Sequence, residues 1–344
     1  MRTTCLARMA TVLLGLAAGA SQAAAADPIR LRVADSFPAE HFLVRMMLKP
    51  WMEEVTRRTG GAVVFQHYPN QQLGKAADLL RLTQTGVVDI GYTAPAYASD
   101  KMPLSEVAQL PGQFDTVCPG TLAYWKSARS GALAKADYAP NRLRLLLATV
   151  LPPYRTFTTR TEIKGPADFA GLKLRTAGGA QDLTARALGG VPVRMAAPDA
   201  YESLSRGTMD GLLFPTESII SYGLDKLVRH ATDGIGFGSF VIAYSIGIDT
   251  WNRLPPEVRT AMDEAAEALE PRICQQMQDE EATSQKKMEA SGVVFTTLPQ
   301  PAAAEIHGKL TGVALEWAKG LDGRGKPGTV VLKEFESLLR PAGD

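Results

Sequence analysis

The chain has 344 residues, of which 45% are apolar, a share that supports a sizeable core and excludes an intrinsically disordered protein. Its 37 lysine and arginine residues are balanced by 36 acidic residues. A surface without a strong positive field argues against nucleic acid and against an anionic membrane as partners.

Residues 1–26 have the pattern of a secretory signal peptide. Arg2 and Arg8 precede an apolar run from Met9 to Ala20, and small residues suited to cleavage continue to Ala26. The run is too short to cross a bilayer, which takes about 20 apolar residues. We therefore predict export to the periplasm, cleavage near Ala26, and no direct membrane insertion of the remaining chain.

Two cysteines, Cys118 and Cys274, remain after this segment. An oxidising compartment allows such a pair to close. We expect a disulfide between them, and two buried free thiols are the alternative that the sequence leaves open.

Strands and helices alternate in the first part of the remaining chain. Apolar and other residues alternate from Ile29 to Val33, which predicts a strand, and apolar residues then recur at helical spacing from Phe42 to Val55. A strand over 62–68, a helix over 76–85 and a strand over 87–92 follow. This order predicts a parallel or mixed sheet with helices on both faces.

The same alternation returns between residues 172 and 214, which predicts a second α/β lobe. The predicted elements are strands over 172–174, 191–193 and 209–214, and helices over 181–188 and 201–206.

Two crossovers connect the predicted lobes. Residues 149–158 form the first, and the second passes through the glycine-rich segment 234–238, where glycines could supply hinge dihedrals. The strand over 241–248 is assigned back to the first sheet.

A long helix is predicted from Pro255 to about Ser291, at about 1.5 Å per residue some 50 Å in length. It is long enough to brace both lobes, and Pro271 is expected to kink it. The predicted fold is α/β, with two doubly wound sheets joined by a hinge. The predicted lobes are 27–152 plus 240–280 and 153–239 plus 281–344.

Sequence motifs of enzyme chemistry are absent. The histidines are isolated, without the spacing of a metal site, and the chain contains no G-x-S-x-G, P-loop or H-E-x-x-H pattern. The glycine-rich segment 234–238 lacks the spacing of a dinucleotide site. We predict no cofactor, no bound metal and no catalytic residue.

Arginines are the more informative candidates. Arg175 ends the predicted strand over 172–174 and precedes a helix, at the edge of a doubly wound sheet where ligands bind. A guanidinium there could hold a carboxylate through two parallel hydrogen bonds, and a surface arginine is the alternative. Arg155, at the first crossover, could make a second contact or a hinge salt bridge.

Five segments in register resemble the solute-binding proteins of TRAP transporters, the DctP type, over about residues 30–295. They are Tyr68-Pro69-Asn70-Gln71-Gln72-Leu73-Gly74, Leu80 to Asp89, Asp168 to Arg175, Met209-Asp210-Gly211, and Trp251 to Glu257. The resemblance implies a two-lobed periplasmic-binding-protein fold that closes around an organic acid and presents it to membrane subunits driven by a sodium gradient.

The resemblance also implies roles for both arginines. In the family, the arginine that ends the G-L-K-L-R run binds the ligand carboxylate, and Arg175 matches it. An arginine after the first crossover touches ligand in several relatives, and Arg155 falls on that position.

The segment Asp210-Gly211-Leu212-Leu213-Phe214-Pro215 departs from relatives that bind sialic acid, which carry polar residues there. An apolar wall would leave sugar hydroxyls unpaired, and Leu213 removes the carboxylate that metal-dependent relatives use, so calcium is disfavoured. We predict an aromatic or apolar monocarboxylate. The expected ligand-lining residues besides the arginines are Phe37, Tyr92, Tyr154 and Phe214, with Glu217 as a polar limit to the pocket.

Strand alternation further predicts that Leu212 and Phe214 share one face while Leu213 faces the core. The predicted function is a solute-binding receptor without catalytic activity. Two alternatives are a ligand-sensing periplasmic protein and an exported enzyme on the same scaffold.

Overall fold

The computed structural model describes residues 27–340 and builds them around two β-sheets. The predicted signal peptide, residues 1–26, lies outside the described residues. Five strands form the first sheet, in the order β2-β1-β3-β10-β4. Their bounds are β1 Ile29–Ala34, β2 Val63–Tyr68, β3 Ile90–Tyr92, β4 Leu143–Val150 and β10 Val241–Gly247.

Six strands form the second sheet, in the order β11-β9-β5-β8-β6-β7. Their bounds are β5 Arg155–Thr158, β6 Lys173–Thr176, β7 Val191–Arg194, β8 Gly211–Phe214, β9 His230–Asp233 and β11 Val294–Thr297. The chain passes from β4 to β5, returns from β9 to β10, and passes again from β10 to β11, so three crossovers join the sheets. The predicted return of the strand near 241–248 to the first sheet is confirmed.

Both sheets are mixed because each receives a strand after a crossover. β1 pairs parallel with β2 and β3, whereas β10 is antiparallel to β3 and β4. β6 pairs parallel with β7 and β8, whereas β5 is antiparallel to β8 and β9. The predicted two-lobed α/β fold is confirmed.

Helices pack against the strands of both sheets. Their bounds are α1 Lys49–Arg58, α2 Leu79–Gln84, α3 Val117–Ser130, α4 Ala180–Ala187, α5 Ala200–Ser205, α6 Thr216–Ser221, α7 Ile248–Arg253, α8 Pro256–Ala290, α9 Gln300–Thr311, α10 Val313–Asp322 and α11 Gly328–Leu339. A π-helical segment, Val44–Leu48, leads directly into α1, and a second one spans Ala134–Tyr138. None of the helices within residues 27–340 combines the length and hydropathy needed to cross a membrane.

Helix α8 is the brace that the sequence predicts. It runs for 35 residues and continues through Pro271 without interruption. Near its start it packs on α1, α3 and β4 of the first lobe, and it also contacts α6 of the second lobe. Met262 belongs to the core of the first lobe and Met288 to that of the second. One continuous helix therefore contacts both lobes.

Cys118, in the first turn of α3, is joined to Cys274 of α8 by a disulfide with the two Cα atoms 4.9 Å apart. The bond links residues separated by 156 positions in sequence. It fixes α8 to the first lobe close to the crossovers.

The last helix differs from the predicted lobe boundary. The prediction assigns 281–344 to the second lobe, but α11 packs against α3 of the first lobe while α10 contacts α4 of the second. The reason is the apolar face of α11, where Val331, Leu332 and Phe335 are buried in the first lobe's core. The C-terminal helices thus span both lobes.

Candidate functional site

A small cavity lies between the lobes at the ends of several strands and has a volume of about 20 Å³. The first lobe contributes Phe37, Tyr92 and Tyr97 to its wall, and the second contributes Arg175 and Phe214 among others. Five of the residues predicted to line a ligand pocket meet here: Phe37, Tyr92, Tyr154, Arg175 and Phe214.

Arg175 is the charged residue of this wall. It is the third residue of β6, and only 1% of its surface is exposed. Its Nε donates to the carbonyl of Met195 at 3.1 Å, and its Nη2 donates to the hydroxyl of Tyr97 at 3.3 Å. Nη1 is buried and has no hydrogen-bond partner among the described residues. A buried cation without a carboxylate partner is costly unless an anion reaches it.

Phe214 positions the guanidinium from the neighbouring strand. β6 and β8 are parallel neighbours, and the guanidinium carbon of Arg175 lies 4.8 Å from the centre of the Phe214 ring. A cation over an aromatic face is attracted by the ring quadrupole, more strongly when both are desolvated. The contact keeps the guanidinium fork at the cavity.

The predicted alternation along β8 is visible in the packing. Leu212 and Phe214 are buried with the core of the second lobe, whereas Leu213 packs with the larger core that spans the first lobe. Phe214 therefore combines core packing with a place in the cavity wall. Its ring centre lies 6.2 Å from those of Tyr154 and Tyr222.

Aromatic rings from the first lobe face this wall. The ring centres of Phe37 and Tyr92 are 4.7 Å apart, and those of Tyr97 and Phe240 are 5.3 Å apart. Burial raises the pKa of the Tyr92 hydroxyl, which therefore stays protonated and can act as a hydrogen-bond donor. The cavity is an aromatic box with one cation.

Arg155 does not reach this cavity. Its guanidinium forms an ion pair with Asp233, lies 3.4 Å from Glu281, and donates to Gln285 at 2.8 Å. Its side chain lines a different, larger groove of about 370 Å³ beside the first two crossovers. In this structure acidic residues of β9 and α8 occupy its fork, which matches the hinge salt bridge that the sequence leaves as the alternative to a ligand contact.

Glu217 also lies outside the cavity wall, where it was predicted to be. Its neighbours Pro215 and Ser218 line the cavity, but Glu217 itself does not. Its carboxylate accepts a hydrogen bond from Ser221 at 2.5 Å, and burial raises its pKa to about 8. The carboxyl group faces the helix of which it is part, so it does not limit the pocket.

Two tyrosines of the wall were missed by the sequence analysis. Tyr97 follows β3, and its hydroxyl accepts hydrogen bonds from the Ala197 backbone at 2.9 Å and from Arg175. Tyr222 follows α6 at the second lobe's side. The position of Tyr97 just beyond the carboxyl end of a strand was an available signal, since such ends are where ligands bind.

A buried carboxyl of the first lobe contacts the second lobe. Glu106, in a short helical segment of the first lobe, accepts a hydrogen bond from the backbone of Ala180 at 2.6 Å, at the start of α4 in the second lobe. Gly179 precedes it with a φ of 51°, and a Cβ there would overlap the Glu106 carboxylate. Burial raises the pKa of Glu106 to about 7.

The part of the chain that the structure describes holds no cluster of three or more histidine, cysteine or acidic side chains placed to bind a metal ion. The lining of the cavity supplies a guanidinium, phenol hydroxyls and ring faces.

Comparison with known proteins gives one family. The family model of bacterial extracellular solute-binding protein, family 7, named DctP, matches residues 34–319. A curated relative, the C4-dicarboxylate-binding periplasmic protein DctP of Rhodobacter capsulatus, is 29% identical over 62% of this chain. That match spans 64% of the relative's length, just under two thirds.

Solved structures extend the similarity to the whole fold. A TRAP solute-binding protein from Rhodoferax ferrireducens, in complex with copurified benzoate, is 25% identical with a TM-score of 0.84, covering 90% of this chain and 97% of that one. A second, from Bordetella bronchiseptica with bound (R)- and (S)-mandelate, is 27% identical with a TM-score of 0.82, covering 91% and 99%.

Proposed function

The chain belongs to the DctP family of bacterial extracellular solute-binding proteins, and from this premise we propose that it captures an aromatic monocarboxylate between its lobes. It then presents this ligand to the membrane subunits of a TRAP-type transporter. Residues 1–26 direct it to the periplasm and are removed near Ala26.

The main support for a carboxylate ligand is one buried guanidinium nitrogen of Arg175, Nη1. Nη1 is buried without a partner, while Nε and Nη2 are already oriented by Met195 and Tyr97. A carboxylate oxygen would satisfy Nη1 and neutralise a cation that has no acidic partner in the wall. Arg175 is thus an oriented, unsatisfied anion site.

The walls determine what the carboxylate is attached to. Rings from Phe37, Tyr92 and Phe214 supply flat apolar faces, and Arg175 is the one charged residue of the lining that the structure describes. A second carboxylate would therefore lack a cation, because Arg155 is neutralised by its own acidic partners. These features favour a monocarboxylate with an aromatic body, in keeping with the benzoate and mandelate bound by two similar proteins.

Binding requires the lobes to move. A volume of about 20 Å³ has room for little more than a water molecule, so an aromatic acid enters only when the walls separate. Once the acid contacts Arg175 of one lobe and Tyr97 or Tyr92 of the other, it stabilises the closed arrangement through its higher affinity for that state.

The groups around the cavity are those of a binding receptor rather than of an enzyme. The lining offers donors and ring faces, and within residues 27–340 it brings together no nucleophile with a neighbouring general base. A sensing role would use the same ligand site, and pull-down of TRAP membrane subunits by the liganded protein separates it from transport.

The test is a thermal-shift and calorimetry screen of the protein lacking residues 1–26. Benzoate and phenylacetate are expected to raise the melting temperature, whereas benzamide, which has the shape of benzoate without its charge, is expected to have no effect. Galacturonate and succinate serve as hydroxyl-rich and dicarboxylate comparisons. Larger shifts with either of these than with benzoate would contradict the proposed ligand class.

A further inference from the structure

We infer that Tyr222 and His41 form a second polar subsite in the cavity, which selects aromatic acids that carry a hydroxyl or carbonyl oxygen in addition to their carboxylate. The inference rests on the proposed function, because it concerns the part of the same ligand that lies away from Arg175.

The Tyr222 hydroxyl is the first observation. Tyr222 lines the cavity, and its hydroxyl oxygen is buried without a hydrogen-bond partner in the described residues. Burial raises the pKa of this phenol, so it remains protonated and offers a hydrogen. A buried donor without an acceptor is costly, and native proteins pair such groups when a partner can reach them.

His41 provides a second unpaired donor from the other lobe. Its Nδ1 accepts a hydrogen bond from the Leu43 backbone at 3.3 Å. Burial lowers its pKa to about 3, so the ring is neutral and its remaining hydrogen is on Nε2. Nε2 is buried and has no partner among the described residues. The ring centres of His41 and Tyr222 lie 5.4 Å apart.

Phe214 lies close to Tyr222 and to Arg175, the proposed carboxylate-binding residue. Its ring centre is 4.8 Å from the guanidinium carbon of Arg175 and 6.2 Å from the ring centre of Tyr222. The Phe214 ring therefore lies near both Arg175 and Tyr222. A ligand lying against Phe214 would have its carboxylate at Arg175 and a substituent oxygen near Tyr222 and His41.

Tyr222 offers an unpaired donor at the cavity wall among the described residues, with the His41 ring packed beside it. Such a donor needs an oxygen acceptor, which a hydroxyl or carbonyl group of the ligand supplies and a hydrogen atom does not. A site built to hydrogen-bond a substituent rejects the analogue that lacks it, because its own polar groups are then left unpaired. Tyr222 is thus assigned as a specificity-determining residue.

The experiment pairs ligands that differ by one hydroxyl: benzoate with 3-hydroxybenzoate, and phenylacetate with mandelate. Calorimetry is performed on the wild type and on Tyr222→Phe, with Tyr201→Phe as the matched control because Tyr201 is exposed on α5. We expect the wild type to prefer one or both hydroxylated acids by about tenfold, the value of one hydrogen bond to an otherwise unpaired group. Tyr222→Phe should reduce that preference to about twofold or less, and Tyr201→Phe should leave it intact.

Four results would overturn the inference. An equal loss of affinity for both members of each pair would mean that Tyr222 pairs with His41 across the lobes and does not read the ligand. An unchanged preference in Tyr222→Phe would exclude the hydroxyl from recognition. If the wild type bound the plain acids through Arg175 but showed no preference within either pair, the subsite alone would be refuted. Failure of every carboxylate to bind would refute the proposed function as well.

Discussion

Two regions lie between the lobes, and each contains an arginine that was predicted from the sequence to bind the ligand. The groove at the crossovers, about 370 Å³, contains Arg155, whereas the aromatic cavity, about 20 Å³, contains Arg175. The larger space is the less suitable anion site. Arg155 is surrounded by Asp233, Glu281 and Gln285, whereas Arg175 has no acidic partner within residues 27–340.

The contrast shows that the partners of a cation, and not the space beside it, determine what the cation can bind. A carboxylate approaching Arg155 would have to displace ion pairs already formed, and it would meet the two acidic side chains. A carboxylate at Arg175 completes a set of hydrogen bonds. If the lobes close around the ligand as proposed, the volume of the aromatic cavity depends on the extent of closure and is a poor guide to function.

Removing the disulfide, which lies beside the groove, should have the largest effect. Val117 and Gln278 line the groove close to the two cysteines. Replacing both cysteines, in Cys118→Ser with Cys274→Ser, should lower the free energy of unfolding by about 4–5 kcal/mol in the loop-entropy view, with little change in ligand affinity. Urea unfolding and calorimetry measure the two quantities. Two alkylated thiols in unreduced protein from the periplasm would show that the bond does not form.

Removing the cation of the cavity should have the next largest effect. Arg175→Ala is expected to weaken benzoate binding by about 2–5 kcal/mol, and Arg175→Lys to recover only part of it, because an ammonium lacks the planar fork. Calorimetry gives the affinities and circular dichroism checks that the fold is retained. Full affinity in both variants would remove Arg175 from the site.

The corresponding change in the groove should act on stability. Arg155→Ala leaves Glu281 without its cation and is expected to cost about 1–3 kcal/mol of unfolding free energy, while benzoate affinity stays within about twofold. Arg81→Ala is the control, since Arg81 is exposed and its one ion pair, with Asp78 at 3.6 Å, is worth little. A loss of affinity comparable with that of Arg175→Ala would reverse the assignment of the two arginines.

The smallest effect is a pH dependence of closure. The pKa of Glu106 is raised to about 7 where the lobes meet, and separating them returns the carboxyl to solvent. A raised pKa favours the closed state when the group is protonated, so this contribution is complete below the ordinary carboxyl pKa and is lost as the pH rises through about 7. Benzoate affinity should fall about three- to fourfold from pH 6.5 to 8.5 through this group.

Glu106→Gln should remove that part of the pH dependence, because glutamine keeps the acceptor for Ala180 without titrating. Arg194 and Asp182 also influence Glu106, and Ser99 lies within hydrogen-bond reach, but these groups are unchanged in the variant. Glu217→Gln is the matched control, since Glu217 is another buried carboxyl with a pKa raised to about 8. An identical pH profile in wild type and Glu106→Gln would refute the contribution.

Much of the fold could be predicted from the sequence because the residue patterns that indicate helices and strands are local. Alternation from Ile29 to Val33, helical spacing from Phe42 to Val55, and the predicted start of the long helix at Pro255 each concern neighbouring residues and predicted the elements found. Arg175 was predicted for the same reason: it stands near the end of a buried strand before a helix, a place where α/β sheets bind ligands.

What the tertiary structure decided is which distant groups meet. Arg155 and Arg175 both occur in short strands of the second sheet, and only the placement of Asp233 and Glu281 shows that one of them is neutralised. Tyr97 and Tyr222 come together from different lobes over a long stretch of chain. The α11 helix returned to the first lobe because its apolar face fits there. Such contacts follow from packing between elements, and no local pattern of residue types records them.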